Sequence, residues 1–509
     1  MVEDLFTALS AARPAPEKAV ATTPGGRRTT YDELFATARR CARLLAERGV
    51  VPGDRVAVQV DKSPEALALI LGVAAAGAVV LPLNPAYTDA EVAFFLADAG
   101  PRVLVAPPAR GGALAAVADA HGARLETLGT ARDGSLGAAL ADADVAFTPV
   151  PRTGDDLAAI LYTSGTTGRA KGAMLTHANL LANARTLVEV WRFTADDVLI
   201  HALPIFHTHG LFVASNTILL AGGSMLFLER FDADAVVAVM PRATAMMGVP
   251  TYYTRLLAHP DFDRALTHGM RVFISGSAPL SAEVHKAFAE RTGHAILERY
   301  GMSETGMNTS NPYDGERRPG TVGFPLPDVE LRITDPETGE VRPRGEVGVI
   351  EVKGPNVFSG YWGLEAKTAA AFRADGWFVT GDLARLDDDG YVHIVGRDQD
   401  LIISGGFNVY PAEVEAHLDA LAGVAESAVI GVPHPDLGEG VTAVVALEPG
   451  ASLGEDEVRA ALAAELAKFK QPKRVFFVPK LPRNAMGKIQ KVDLRADYRD
   501  AYATPDASG

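Results

Sequence analysis

Cysteine is almost missing from this 509-residue chain: Cys41 is the single one. That excludes an intramolecular disulfide framework and any metal site built from several thiolates, and it suits a reducing compartment, so the cytoplasm is the expected location. An excess of positive charge is missing too. With 48 lysines and arginines against 63 aspartates and glutamates, the net charge is −15, which argues against nonspecific binding to nucleic acid or to an anionic membrane surface. Any anionic ligand has to be met by local positive charge acting against the field of the whole molecule. The segment Met1 to Pro16 lacks the basic stretch and long apolar core of a secretion signal. One uncharged run, Ala66 to Leu83, is long enough to cross a membrane. Its punctuation points elsewhere: Ser63 suits an N-cap, Pro64 a first helical position and Gly77 the residue past a helix end, after which Val79 to Leu83 reads as a strand.

What is present begins with length. At 48% apolar residues the chain can pack several cores, and its size predicts about three or four folding units. The densest local signal is Leu161-Tyr162-Thr163-Ser164-Gly165-Thr166-Thr167-Gly168-Arg169-Ala170-Lys171-Gly172. An apolar run, Leu157 to Leu161, precedes it, and His177 to Trp191 carries apolar residues at helical spacing, so the expected order is strand, loop, helix. Glycines let a backbone approach an anion without Cβ clashes, hydroxyls donate, and Arg169 and Lys171 add charge, a combination suited to polyphosphate. It is not a Walker A loop, because two residues separate Gly168 from Lys171.

Residues 54 to 106 repeat a strand, helix, strand rhythm, with Thr88 and Glu91 as a capping box, which implies a parallel, helix-covered sheet. From Gly111 to Asp156 the sequence indicates only helix and connecting loop. The alternation resumes at Val198–Pro204, Ser224–Leu228, Ala245–Val249 and Val272–Ile274. Ligands collect at the carboxyl ends of such strands, so attention falls on His207-Thr208-His209-Gly210, Arg255, Ser275-Gly276-Ser277-Ala278 and Glu298-Arg299-Tyr300-Gly301-Met302-Ser303-Glu304. From about Thr321 short strands broken by Gly, Pro and Asp predict a small antiparallel unit. Beyond a linker near residue 399, a helix from Ala412, strands, a helix from Glu455 and a last strand predict one α+β domain.

Assembled, the chain resembles the adenylate-forming superfamily of acyl-CoA synthetases, adenylation domains and luciferases. The likeness rests on Tyr162 to Gly172, Tyr300-Gly-Met-Ser-Glu304, Thr380-Gly-Asp382, Gly396-Arg397, Gly405-Gly-Phe-Asn-Val-Tyr-Pro411 and Pro482-Arg-Asn-Ala-Met-Gly-Lys488, all in that family's order. It implies an α/β fold. Residues 1–398 would form a large N-terminal domain of two helix-covered, mainly parallel sheets, with a β subdomain at 321–398. Residues 399–509 would form a mobile, smaller C-terminal α+β domain. It implies ATP, Mg²⁺ and coenzyme A as reactants and cofactor, small-molecule substrates, and no nucleic acid, membrane or obligate protein partner. A carboxylate attacks the α-phosphorus of ATP, and the CoA thiol then attacks the acyl-adenylate. By the same resemblance Thr163, Ser164, Gly165, Thr166, Thr167, Gly168 and Lys171 hold phosphates. Glu304 helps bind Mg²⁺ and Lys488 bridges the acyl carboxylate and α-phosphate; with Thr163 these are the implied catalytic residues. Asp382 takes the ribose hydroxyls beside Arg397. Tyr300 stacks on adenine, with Ser277, Ala278, Glu298, Gly301, Met302 and Ser303 around it. Gly405, Gly406 and Phe407 form the CoA tunnel. Gln399 is the hinge, where relatives usually carry Asp or Lys, so a charge that biases the two domain arrangements is absent.

The acid is read from Arg299, whose place before Tyr300 many relatives fill with an uncharged residue. Arg255, His207, Thr208 and His209 add basic or polar groups, and a pocket lined this way wants a second anion. With Ser275-Gly-Ser-Ala278 and Glu298 to Met302, the set looks like that of malonyl-CoA synthetases. Ser277 and Met307 complete the expected acyl lining, and Thr208 and Met307 face a substituent at C2, so methylmalonate is expected to fit. The competing reading of Arg299 is an internal ion pair with Glu298 or Glu304, and that of the histidines a metal pair. Competing functions are a ligase for another short or aromatic acid and a catalytically silent relative; the second predicts losses at Lys171, Glu304, Asp382 and Lys488, which are all present.

Overall fold

Helix starts follow the side chains the sequence places there. The computed structural model describes residues 4–503 apart from 164–169, 398–399, 405–406, 467 and 485–486 and the side chains of residues 408 and 464. Ser63 accepts from the Ala66 amide, Pro64 opens the helix Pro64–Ala75, and Gly77, at φ +70°, turns the chain into the strand Val79–Pro82. Thr88 and Glu91 cap the helix Asp89–Ala99 reciprocally, and Gly100 ends it in the left-handed conformation. The uncharged run is therefore a buried helix and strand. Among the described residues no helix is long and apolar enough to cross a membrane.

Two large sheets organise the first part of the chain. Seven strands run in the spatial order Gly360–Tyr361, Lys171–Thr176, Leu157–Thr163, Val79–Pro82, Arg55–Val58, Val103–Ala106, Arg124–Thr127. Nine run Phe324–Pro325, Gly306–Ser310, Leu297–Met302, Val272–Ser275, Ala245–Gly248, Val198–His201, Ser224–Phe227, Ala19–Thr22, Arg28–Thr30. Both are parallel through the middle; the nine-stranded sheet turns antiparallel at both edges, the seven-stranded one only at the edge formed by Lys171–Thr176 and Gly360–Tyr361. The helices Tyr31–Glu47 and Pro64–Ala75 pack against one another between them, and one continuous apolar core joins side chains of both sheets. A four-stranded antiparallel sheet, Glu330–Thr334, Gly348–Lys353, Phe378–Leu386 and Val392–Arg397, follows. The last segment forms its own five-stranded sheet with two apolar clusters of its own. The architecture is α/β, as expected.

Three local expectations are corrected. The glycine-rich stretch does not lead directly into a helix: Lys171–Thr176 is a strand pairing antiparallel with Leu157–Thr163, and only then does His177–Val190 begin. Gly172 to Thr176 buries apolar side chains against the sheet in a run too short to announce itself. Glu298 to Glu304 likewise enters a hairpin with Gly306–Ser310. Within residues 111 to 156, Arg124–Thr127 adds an edge strand, hidden in sequence by its two charges.

Candidate active site

The hairpin register sets the first corner of the site by placing Thr163 opposite Lys171. Ser164, Gly165, Thr166, Thr167 and Gly168 lie outside the described residues. The Lys171 ammonium sits 5.2 Å from the centre of the Tyr361 ring, and the Tyr361 hydroxyl donates to Glu304 Oε1 at 3.0 Å. Burial pushes the Glu304 carboxyl above the usual carboxylate range, against the pull of its hydrogen bonds and of Arg397. Among the described residues no group of three His, Cys, Asp or Glu could hold a metal ion. The single buried carboxylate beside a lysine fits a Mg²⁺ that arrives with phosphates and takes most of its ligands from them and from water.

A second corner forms where Phe378–Leu386 pairs with Val392–Arg397, setting Asp382 opposite Arg397. Asp382 Oδ1 lies 2.9 Å from Arg397 Nε, and Oδ2 accepts from the Tyr300 hydroxyl at 2.5 Å. Thr380 Oγ1 accepts from the Asp382 amide at 3.1 Å while donating to the Ile350 carbonyl at 2.9 Å. The carboxylate is thus aimed by backbone, phenol and guanidinium together. Burial, then the Asp382 charge, holds the Tyr300 phenol well above its ordinary value.

Lys488 reaches this corner from the C-terminal segment. Its amide donates to Asn484 Oδ1 at 3.0 Å and its carbonyl accepts from the Asn484 amide at 2.9 Å. Its side chain is open to solvent. Surrounding protein nonetheless lowers its ammonium pKa, as does Arg397, while Asp382 and Asp400 act in the opposite direction. Lys488 in turn depresses His207. It therefore stands between the Asp382–Arg397 pair and the histidine loop.

The third corner is the buried basic cluster. Arg299 is 2% exposed, and its Nε and Nη2 have no hydrogen-bond partner. Among the described residues no carboxylate reaches ion-pair distance of it, so the internal pairing with Glu298 or Glu304 is not formed. Around it His207 Nδ1, His209 Nε2 and Ser275 Oγ are also buried and unpartnered, while Ser277 Oγ lies 3.2 Å from His209 Nδ1. Buried donors are almost always paired, so this concentration marks a place built for something else to accept. Burial and the Arg299 charge pull His207 down to about 4 and His209 well below 6.5. Both imidazoles are neutral near pH 7: Arg299, lowered by burial to about 9, carries the charge, and of the basic or polar groups expected here the rings supply hydrogen bonds. His209 opens the π-helix His209–Ser215 rather than sharing a strand face with His207, and among the described residues no third His, Cys, Asp or Glu joins the two rings to hold a metal ion.

Of the remaining expected residues, Met307 is buried, its amide and carbonyl held by Asn183. Thr208, with Gly306 and Asn183, lines a cavity of about 10 Å³, room for about one water. Ala278 is half-buried, as are Gly301, Met302 and Ser303 on the hairpin that carries Tyr300. Arg255 does not join the cluster: it is exposed on the helix Pro250–Leu257, one turn beyond Thr251, whose side chain borders Gly487. Phe407 is 56% exposed and stacks on Phe469 with ring centroids 4.8 Å apart. Gly405, Gly406 and Gln399 lie outside the described residues. Sequence reasoning missed Tyr361 and the part played by Gly276. A Cβ at Gly276 would lie 2.5 Å from Arg299 Cζ and Nη1, so the guanidinium keeps its place only beneath a glycine. Gly276→Ala is accordingly expected to displace that flexible end group without unfolding the chain. Activity on a diacid should fall by roughly tenfold or more relative to a monoacid, read as the ratio of the two kcat/KM values.

Glu298 supplies a pH test. Its Oε1 accepts from the Leu280 amide at 3.2 Å, Oε2 has no partner, and burial raises the carboxyl to about 8. The folded chain then holds a proton that the unfolded chain has released between about pH 4.5 and 8, so stability falls as pH rises through that window. Glu298→Gln should melt close to the wild type at pH 5 and above it at pH 8; equal gaps at both pH values would contradict this.

The chain belongs to the AMP-binding enzyme family: that family's model matches residues 9–362, and the model of its C-terminal domain matches 413–488. A feruloyl-CoA synthase of an Amycolatopsis species is 39% identical, with 96% of this chain and 97% of that protein covered. A malonate–CoA ligase of Arabidopsis thaliana is 33% identical over 92% and 84%. ATP-bound MatB from Rhodopseudomonas palustris is 57% identical, covers 99% of this chain and 100% of its own, and superposes with a TM-score of 0.97. Apo MatB, at the same identity and coverage, gives 0.85, so the overall shape is nearer to the ATP-bound form.

Proposed function

We propose that this AMP-forming acid–thiol ligase joins malonate to coenzyme A, with methylmalonate as a second substrate. The observation that carries the reading is Arg299: a charged guanidinium, buried, with two N–H groups unpartnered and no acid in ion-pair range. Sequestering such a group is costly until an anion reaches it. A short diacid supplies that anion at its distal end while its other carboxylate points toward Lys488. Neutral His207 and His209 can donate to the same distal carboxylate without adding charge.

In the first half-reaction Thr163, Lys171 and the loop between them hold the phosphates, Asp382 takes the ribose hydroxyls and Tyr300 lies against adenine. Glu304 would hold Mg²⁺, which neutralises phosphate charge when bound. The free carboxylate oxygen attacks the α-phosphorus, pyrophosphate leaves, and the Lys488 ammonium stabilises the charge developing on the phosphoryl oxygens. In the second, the residues from 399 onward turn about Gln399, bringing Gly405, Gly406 and Phe407 to a passage for the pantetheine arm; the thiol attacks the acyl carbonyl and AMP leaves.

The 39% identity to a feruloyl-CoA synthase raises an aromatic acid as the other candidate. An aromatic acyl group would leave the Arg299 charge buried and unpaired, which disfavours it. CoA-dependent AMP release with malonate, methylmalonate, acetate, benzoate and ferulate tests the choice. Malonate should lead, and a lead by ferulate or benzoate would reject the reading.

A further inference from the structure

Behind the acid pocket runs a buried polar chain that the mechanism above does not use. Lys62 lies between the strand Arg55–Val58 and the helix Pro64–Ala75, and His201 ends the strand Val198–His201 of the other large sheet; they are 8% and 1% exposed. Lys62 Nζ is 2.8 Å from His201 Nδ1, 2.7 Å from the His201 carbonyl oxygen and 4.4 Å from the centre of the Phe227 ring. Among the described residues no carboxylate pairs with it. His201 Nε2 lies 2.9 Å from the Gly210 carbonyl oxygen and 3.1 Å from Ser215 Oγ, and Ser215 donates to the same carbonyl at 2.8 Å.

The directions of these bonds are fixed by chemistry. A carbonyl only accepts, so His201 Nε2 carries the proton. Burial, then the Lys62 charge, keeps the ring neutral, so Nδ1 is bare and Lys62 donates to it. Gly210 is the second residue of the π-helix that His209 opens, and its backbone passes so close to Pro204 that a Cβ would fall 2.1 Å from the Pro204 carbonyl oxygen. Two donors on the Gly210 carbonyl therefore hold a wide turn in a tight place, and π-turns of this kind recur at functional sites. The residue immediately before is His209, whose Nδ1 faces Ser277 and whose Nε2 has no partner beside Arg299.

We propose that Lys62 is a positioning residue for the acid pocket: by fixing His201 in its Nε2–H form it clamps the Gly210 carbonyl and so aims His209 at the distal carboxylate of the substrate. The inference rests on the malonate reading for the identity of that carboxylate. One bond from the seven-stranded sheet thereby sets the geometry of a pocket in the nine-stranded one.

Lys62→Met, close in length and without the donor, tests it in the full-length enzyme. The malonate KM should rise about tenfold or more, with kcat and the ATP KM within about twofold of wild type. The ¹⁵N resonances of His201 should change from a single Nε2–H tautomer to a mixture. An unchanged malonate KM overturns the proposal, and so does a parallel loss of kcat, both KM values and melting temperature. Should that variant not fold, Ser215→Ala removes the second donor on the Gly210 carbonyl. A rise of about threefold in the malonate KM alone then supports the proposal, and no change overturns it. A wild type that ligates a different acid rejects the substrate reading instead, and the same KM comparison is then made with that acid.

Discussion

Arg299→Met should lower kcat/KM for malonate by roughly two to three orders of magnitude while leaving activity on acetate or propionate unchanged or raised. Truncating one partner of a desolvated charge pair costs about 3–5 kcal/mol, and methionine keeps the apolar stem, so the loss reports the guanidinium and not a cavity. The ligand-free enzyme should move the other way. Burial lowers the Arg299 pKa from its ordinary value to about 9. Folding therefore penalises the charged form fully at every pH below about 9, and the penalty fades only as pH rises from there toward the ordinary guanidinium value. At pH 7 the unliganded variant should accordingly melt above the wild type, while malonate should raise the melting temperature of the wild type and not of the variant. Together, a less active but more stable apo-enzyme and a lost ligand shift are what an anion site predicts. An arginine serving only the fold would give lower stability and a uniform fall in activity on all acids.

How far the chain could be read in advance differs between backbone and site, for physical reasons. Ser63, Pro64, Gly77, Thr88, Glu91 and Gly100 act through bonds within a few residues, and all six do in the structure what their local chemistry requires. Lys171–Thr176 was not legible, because a six-residue strand owes its existence to a partner across a hairpin. Neither was Arg124–Thr127, an edge strand whose charges contradict its conformation. In the site, the residue types at strand ends pointed to an anion-binding chamber, yet their charge states depend on what surrounds them in space. His207 and His209 read as basic in sequence and are neutral where they stand. Lys62 and His201 sit 139 positions apart, with no motif to connect them, so only the folded arrangement brings them together.

Lys488→Ala should abolish most of the first half-reaction and spare the second. Formation of the acyl-adenylate, followed by malonate-dependent exchange of pyrophosphate into ATP, should fall by about 10²- to 10³-fold, the scale seen when one preorganised electrostatic donor is removed. Conversion of supplied malonyl-adenylate and CoA to thioester should stay within a few fold of wild type, because under the proposed mechanism that step would present a different surface of the C-terminal segment. The split follows from where the lysine lies. Its backbone is pinned by Asn484, and its charge is felt by Asp382 and Arg397 on one side and by His207 on the other. No residue elsewhere in the described site spans both the nucleotide corner and the acid corner in this way. Partial desolvation by nearby protein, with Arg397, also brings the solvent-reached ammonium below its usual 10.5, so the wild-type adenylation rate should decline on the alkaline side at a pH below that value. The thioester step should lack that limb. Were both half-reactions to fall equally in Lys488→Ala, the lysine would be holding the fold of its loop rather than the charge of the transition state.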